Sequence, residues 1–409
     1  MSNIWAQTTV PSGNVSGTWN FAGSPYQVQG LITVQTGQTL QLDPGVIVEF
    51  ISSGKLRVKG DIQALGSSIN PITFTAQNTS AGWLGVFLDS VDVTSDSSIF
   101  DHCVLEYGKT SGLFRIINAN KVRIENSIIR YGEAGYGAGL YIVNSEPLIV
   151  NNEIVDNDAS YKGGAFYLYE SNLQISGNNI SNNNAGTSGA AIFIGAGDPK
   201  ILNNAIDNNT AQSGAGVVCS NWCAPEIRDN SFRQNATTFD GGVIWASDAD
   251  PIIIGNEFIG NTSATRGGVM HLVDASTAVI DSNLFDSNYG QSVGAINLYD
   301  GSSALMRGNV FNNNSAYQNS GAIKVDANCN ILIENCIFSN NFLVSGNSSG
   351  GAIRITSSVT GRISNCLFVN NEAGTGGAIY TYSNVDVDFT NCTFANNHAS
   401  NRAGAIFLN

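Results

Sequence analysis

The chain has 409 residues, 42% apolar and only 12% charged, with 45 glycines and a net charge of −14 from 32 acidic and 18 basic residues. The apolar share suits a globular chain, and no apolar run approaches the ~20 residues of a membrane-spanning helix. An acidic balance without a basic run argues against nucleic acid or anionic lipid as a partner, and against direct membrane insertion of this segment.

In chain order, the first hundred residues read as loose strands. "LITVQTGQTLQLDPGVIVEF", "KLRVKGDIQALG", "PITFTA" and "GWLGVFL" alternate apolar and polar residues, as looser coils without the glycine–asparagine signature of the later chain. From Gly137 a repeat takes over. Eleven rungs begin at Gly137, Gly163, Gly189, Gly214, Gly241, Gly267, Val293, Ser320, Gly350, Gly376 and Ala403, spaced 25 to 30 residues apart. A period of this size means a solenoid.

The fourth position of every rung is apolar, from Leu140 and Phe166 through Met270 to Ile406, while the fifth varies freely. Period-two alternation is a strand. A second motif, a bulky apolar residue with asparagine three places later, runs from Ile154/Asn157 through Phe258/Asn261 to Phe394/Asn397. Stacked coils place each copy ~4.8 Å from the next. The phenylalanines then form a buried stack and the asparagines an amide ladder, with glycine and asparagine turning the corners. Cys336, Cys366 and Cys392 fall in register with Asn152, Asn178, Asn204, Asn230, Asn256, Asn283 and Asn309, which makes them ladder members. "CSNWC" (Cys219, Cys223) suggests a local disulfide or two free thiols rather than zinc.

The expected fold is an all-β, right-handed parallel β-helix of about 26 residues and three short strands per coil. We read one domain, with residues 1–136 as atypical N-terminal coils and cap and 137–409 as the eleven rungs. The paired G-G-A-I and F-x-x-N motifs resemble the passenger repeats of chlamydial polymorphic outer-membrane proteins and related bacterial β-helix surface proteins. That resemblance implies a secreted or cell-surface bacterial protein acting in adhesion.

Chemistry is expected at outward positions, because folding already explains the ladders. The fifth position reads Tyr141, Tyr167, Phe193, Val218, Trp245, His271, Asn297, Lys324, Arg354, Tyr380 and Phe407, with Tyr169, Tyr299 and Tyr382 at the seventh. Tyr141, Tyr167, Tyr169, Phe193, Trp245 and Tyr299 are the candidate ligand-binding residues, as a stripe on which sugar rings of a polysaccharide or cell-surface glycan would stack. Aromatics also favour exposed strands for their own sake.

A polar island interrupts the stripe. Lys324 as base, Arg354 as neutralising group and His271 as proton donor, with Asp326 beside the lysine, would suit a polysaccharide lyase on coils 245–354; a glycoside hydrolase would need two facing carboxylates. Asp248, Asp274 and Asp300 stack on successive coils as a candidate Ca²⁺ column, or as solvated turn residues. Three readings result: a glycan-binding or adhesive module, which is preferred, a polysaccharide-cleaving enzyme, and a structural stalk. "RAGAIFLN" stops inside the eleventh rung, so we expect a longer native protein, or end-to-end self-association through the open coil.

Overall fold

A computed structural model describes residues 7–89, 98–346 and 348–409. The chain forms two compact units, residues up to 193 with 197–200, and residues 194–196 with 201–409. Their boundary falls within a repeat, not at Gly137 where the glycine–asparagine signature begins. Among the described residues no helix is long and apolar enough to cross a membrane.

In the first unit each coil lays down three strands in turn, as in Tyr26–Val28, Leu31–Val34 and Thr39–Leu42. Each strand pairs in parallel with its counterpart one coil on: Ile32 lies beside Leu56, Phe87 beside Arg115, and Tyr141 beside Tyr167. From Lys109–Thr110 onward a fourth short strand enters between the first and second, continuing as Glu133–Tyr136 and Asp158–Lys162. This extra strand runs alongside the sheet that carries the fifth positions.

The second unit repeats the four-strand coil, for example Ser231–Arg233, Ala236–Thr237, Ile244–Ser247 and Ile252–Ile254. Its core follows from alternation: Ile244 and Ala246 are buried while Trp245 between them is half-buried. Phe232, Phe258, Phe285, Phe311, Phe338, Phe368 and Phe394 stack with centroids 4.6–5.0 Å apart and planes within 13°. Each buried ring contributes roughly 1.5–3 kcal/mol through burial alone.

Beside the rings the amide ladder is complete. Asn261 Nδ2 donates to the Phe232 carbonyl and to Asn288 Oδ1, both at 3.0 Å. Its own Oδ1 accepts from the main-chain N–H of Asn235 at 3.0 Å and from Asn235 Nδ2 at 3.1 Å. A leucine side chain has a similar branched outline but cannot answer these four groups. A second ladder through Asn204, Asn230, Asn256, Asn283 and Asn309 passes to Cys336, whose sulfur lies 3.9 Å from Asn309 Nδ2. Cys336 and Cys366 are buried free thiols, Cys392 is half-buried, and Cys219 pairs with Cys223.

One detail of the corners differs from expectation. The left-handed residue is not the ladder asparagine but the one before it: Asn208, Asn313, Asn340, Asn370 and Asn396 have φ of 52–56°. In an Asn–Asn pair the first residue turns the chain and the second, turned inward, bonds the stack. The glycine pair divides its work similarly. Gly376 has φ +63°, whereas a Cβ on Gly377 would lie 2.1 Å from the Gly404 carbonyl oxygen of the next coil.

Candidate functional site

Register extends the fifth-position column of the first unit back through coils that have no sequence signature. Thr33, Arg57, Phe87, Arg115, Tyr141 and Tyr167 stand side by side on successive coils. Lys55 Nζ sits 3.9 Å above the Phe87 ring, and the Arg115 guanidinium lies 4.3 Å from the Tyr141 centroid. Tyr141 stacks on Tyr167 at 5.0 Å and 4°, Tyr167 on Phe193 at 5.3 Å and 11°, and Lys162 Nζ covers Phe193 at 4.2 Å. Cations thus close a row of rings.

Ring carbons in contact lie roughly 3.5–4.0 Å apart, so rings with centroids 5.0 Å apart slide past one another like tiles. Each leaves an edge and a hydroxyl outward rather than a whole face. Tyr136 and Tyr161 on the fourth strands stack at 5.4 Å, and Tyr136 also meets Tyr167 edge-on. Tyr136, Tyr161 and Tyr169 are 45%, 54% and 40% exposed. Burial, helped by Tyr141, Tyr136 and Tyr169, pushes the Tyr167 hydroxyl above its ordinary pKa, so it remains a neutral donor at pH 7.

Two expectations about this stripe are corrected. Phe193 is only 4% exposed, because Lys162 and Tyr167 occupy its two sides. It extends the row by stacking on Tyr167 and, being buried, offers no face to a sugar. The absence of basic runs in the sequence also proves misleading, since the fold gathers Lys55, Arg57 and Arg115 around one open hollow.

In the second unit the same column is largely covered. Val218, His271 and Asn297 are buried although they point away from the core. The segment ending at Gly241 folds over His271: a Cβ on Gly241 would lie 3.3 Å from His271 Cβ, and Asp240 Oδ2 is 3.8 Å from His271 Nε2. Asn297 Nδ2 lies 2.8 Å from His271 Nδ1. Burial lowers the His271 pKa to about 4, with Asp240 opposing and Arg266 assisting. A neutral ring accepting from Asn297 satisfies this geometry, so His271 is a packed imidazole and not the exposed proton donor expected.

Lys324 Nζ is 2.9 Å from Asp326, and both are partly buried. Burial raises the Asp326 carboxyl, but hydrogen bonds from Ser357, Lys324 and Thr356 and the lysine charge outweigh it and hold the pKa below the usual carboxylate value. The ammonium is therefore engaged by an ionised partner. Arg354 donates to Ser349 Oγ at 2.7 Å and lies 5.2 Å from the Tyr380 ring. Asn297 Oδ1 and Arg354 Nε are buried without partners. Trp245 is half-buried and Tyr299 is 39% exposed.

Asp248, Asp274 and Asp300 are exposed left-handed corner residues with φ of 50–55°, and Asp274 accepts from Ser247 Oγ. Among the described residues no group of three or more His, Cys, Asp or Glu side chains is placed to hold a metal ion. The column therefore does not assemble the three-carboxylate Ca²⁺ site that its spacing suggested: the residues are in register but do not converge.

The sequence was matched by the family model described as the right handed beta helix region over residues 84–262 and 240–349. The Chlamydia polymorphic membrane protein repeat matches over 365–382. Among solved structures, a mutant tailspike protein of E. coli bacteriophage HK620 in complex with pentasaccharide aligns at 12% identity and a TM-score of 0.34, covering 92% of this chain and 74% of that one. PfbA, a surface adhesin of Streptococcus pneumoniae, aligns at 11% identity and a TM-score of 0.27, covering 96% and 84%. No curated protein sequence matches significantly.

Proposed function

The chain belongs to the right-handed β-helix family, and from that premise we propose that it is a secreted or cell-surface glycan-binding module acting through the outer face of its first unit. The observation that carries this reading is the tyrosine field. Tyr136, Tyr141, Tyr161 and Tyr167 lie on adjoining coils, joined by ring contacts of 5.0–5.4 Å, and Tyr169 stands two residues beyond Tyr167 on the same strand. Tyrosine offers rigid apolar area with a hydroxyl at its end, and it loses little side-chain entropy on binding. That combination suits the CH faces and hydroxyls of a saccharide.

The face is an open surface rather than an enclosed cavity, which favours an extended chain over a small metabolite. The pairing of Lys324 with Asp326 and the burial of His271 leave the lyase arrangement without a free base or an accessible acid. A glycan array probed with the full chain, followed by product analysis on each hit, tests the proposal. Binding without cleavage is expected. Cleavage of the bound glycan would replace the module with an enzyme, and a silent array would leave a structural stalk.

A further inference from the structure

Only 18 residues of this chain are basic, against 32 acidic, yet three of the 18 line one hollow of about 400 Å³ in the first unit. Lys55, Arg57 and Arg115 surround Phe87, and Asp89 is the one carboxylate in the lining. Arg57 pairs with Asp89 at 3.1 Å. Among the described residues Lys55 and Arg115 have no ion-pair partner. They rest instead against rings, Lys55 on Phe87 and Arg115 between Phe87 and Tyr141. Arg57 Nε is buried with no acceptor.

Three clustered cations that share a single carboxylate repel one another, and Lys55 bears part of that cost. Burial lowers its pKa, Asp89 raises it, and Arg57 and Arg115 lower it further. Leu31 and Ile117 form apolar walls, which limit the water available to solvate the charges. An anion in the hollow would relieve this repulsion and give Lys55 and Arg115 the counter-charge they lack.

We propose that this hollow binds the carboxylate or sulfate of an acidic saccharide whose neighbouring rings lie along the tyrosine row. The proposal rests on the glycan-binding reading and adds the charge class of the ligand. Arg57 to Tyr167 spans four coil steps, or ~19 Å at the usual strand spacing, a length that takes an oligosaccharide rather than one sugar. Guanidinium groups match planar carboxylate and sulfate oxygens in two-pronged fashion. The overall charge of −14 does not forbid this, because exposed charges farther than about 8–10 Å are screened at physiological salt.

The test uses the full chain and two matched probe pairs: an oligogalacturonate with its methyl ester, and dextran sulfate with dextran. Calorimetry should show at least one acidic probe binding tenfold or more tightly than its neutral partner. That preference should shrink as salt rises, fall several-fold in Lys55→Gln and in Arg115→Gln, and persist in Arg362→Gln, a charge-matched change on another sheet. Melting temperatures identify any variant that is simply unfolded, and Lys55→Gln carries the test if Arg115→Gln is. Equal binding of acidic and neutral partners overturns the inference while leaving glycan binding standing, as does a preference unchanged in both folded variants. If neither probe of either pair binds, the inference falls, and the glycan array decides separately whether glycan binding falls with it.

Discussion

The corner column of the second unit and the outer column of the first share one coil spacing but hold different information. The corner repeats phenylalanine and asparagine from Phe232/Asn235 to Phe394/Asn397, and every amide between donates to one neighbour and accepts from another. The outer column changes residue at almost every coil, from Arg57 through Phe87 and Arg115 to Tyr141. A column whose members bond to one another tolerates little variety, because each must fit the copies on both sides. A column facing water can vary, and its variation is where a ligand would be read.

The largest effect is expected in the corner. Phe285→Ala should cost about 3–5 kcal/mol, the usual loss when a large buried ring is deleted. Asn261→Leu should follow, at on the order of 3 kcal/mol, because it takes the side-chain partner from the Phe232 carbonyl and from two Asn235 donors, and leaves Asn288 Oδ1 only the main-chain N–H of residue 261. Asn330→Leu on an exposed strand position serves as control, within about 0.5 kcal/mol of wild type. Urea melts that gave Asn261→Leu and Asn330→Leu similar losses would erase the distinction between the columns.

His271 sharpens the comparison, since it occupies an outer position that is buried like a corner. The unfolded imidazole takes a proton near pH 6.5 and the folded one only near pH 4. Its stabilisation is therefore complete above about pH 6.5 and is lost as the pH falls toward 4. The loss amounts to at most roughly 3 kcal/mol. Comparing wild type with His271→Gln across this range isolates the contribution. Identical pH dependence in the two proteins would mean that solvent reaches the ring.

The interior was legible in the sequence because repetition supplies its own register: Leu140, Ile244 and Ile379 are buried where the alternation put them. The outer column was only half legible. Alternation says which way a side chain points but not what lies over it, so Phe193, Val218, His271 and Asn297 occupy outward positions and are nonetheless buried. Lys162 of a fourth strand covers Phe193, and Asp240 and Gly241 lie against His271. The cation cluster was invisible for a different reason. Lys55, Arg57 and Arg115 lie in coils with no shared motif, so nothing but the fold aligns them. The aspartate column shows the converse, with Asp248, Asp274 and Asp300 in register yet turned outward as separate corners.

A small change in stability is expected in the tyrosine field, and there the central claim can be tested most directly. The double variant Tyr141→Ala, Tyr169→Ala is measured for both melting temperature and affinity, using the glycan that wild type binds most tightly on the array. The account predicts a melting temperature within about 4 °C of wild type, as expected for a loss near 1 kcal/mol. It also predicts binding weaker by at least about tenfold, or 1.4 kcal/mol. Unchanged affinity in a protein that melts like wild type would contradict the claim that this face binds the glycan.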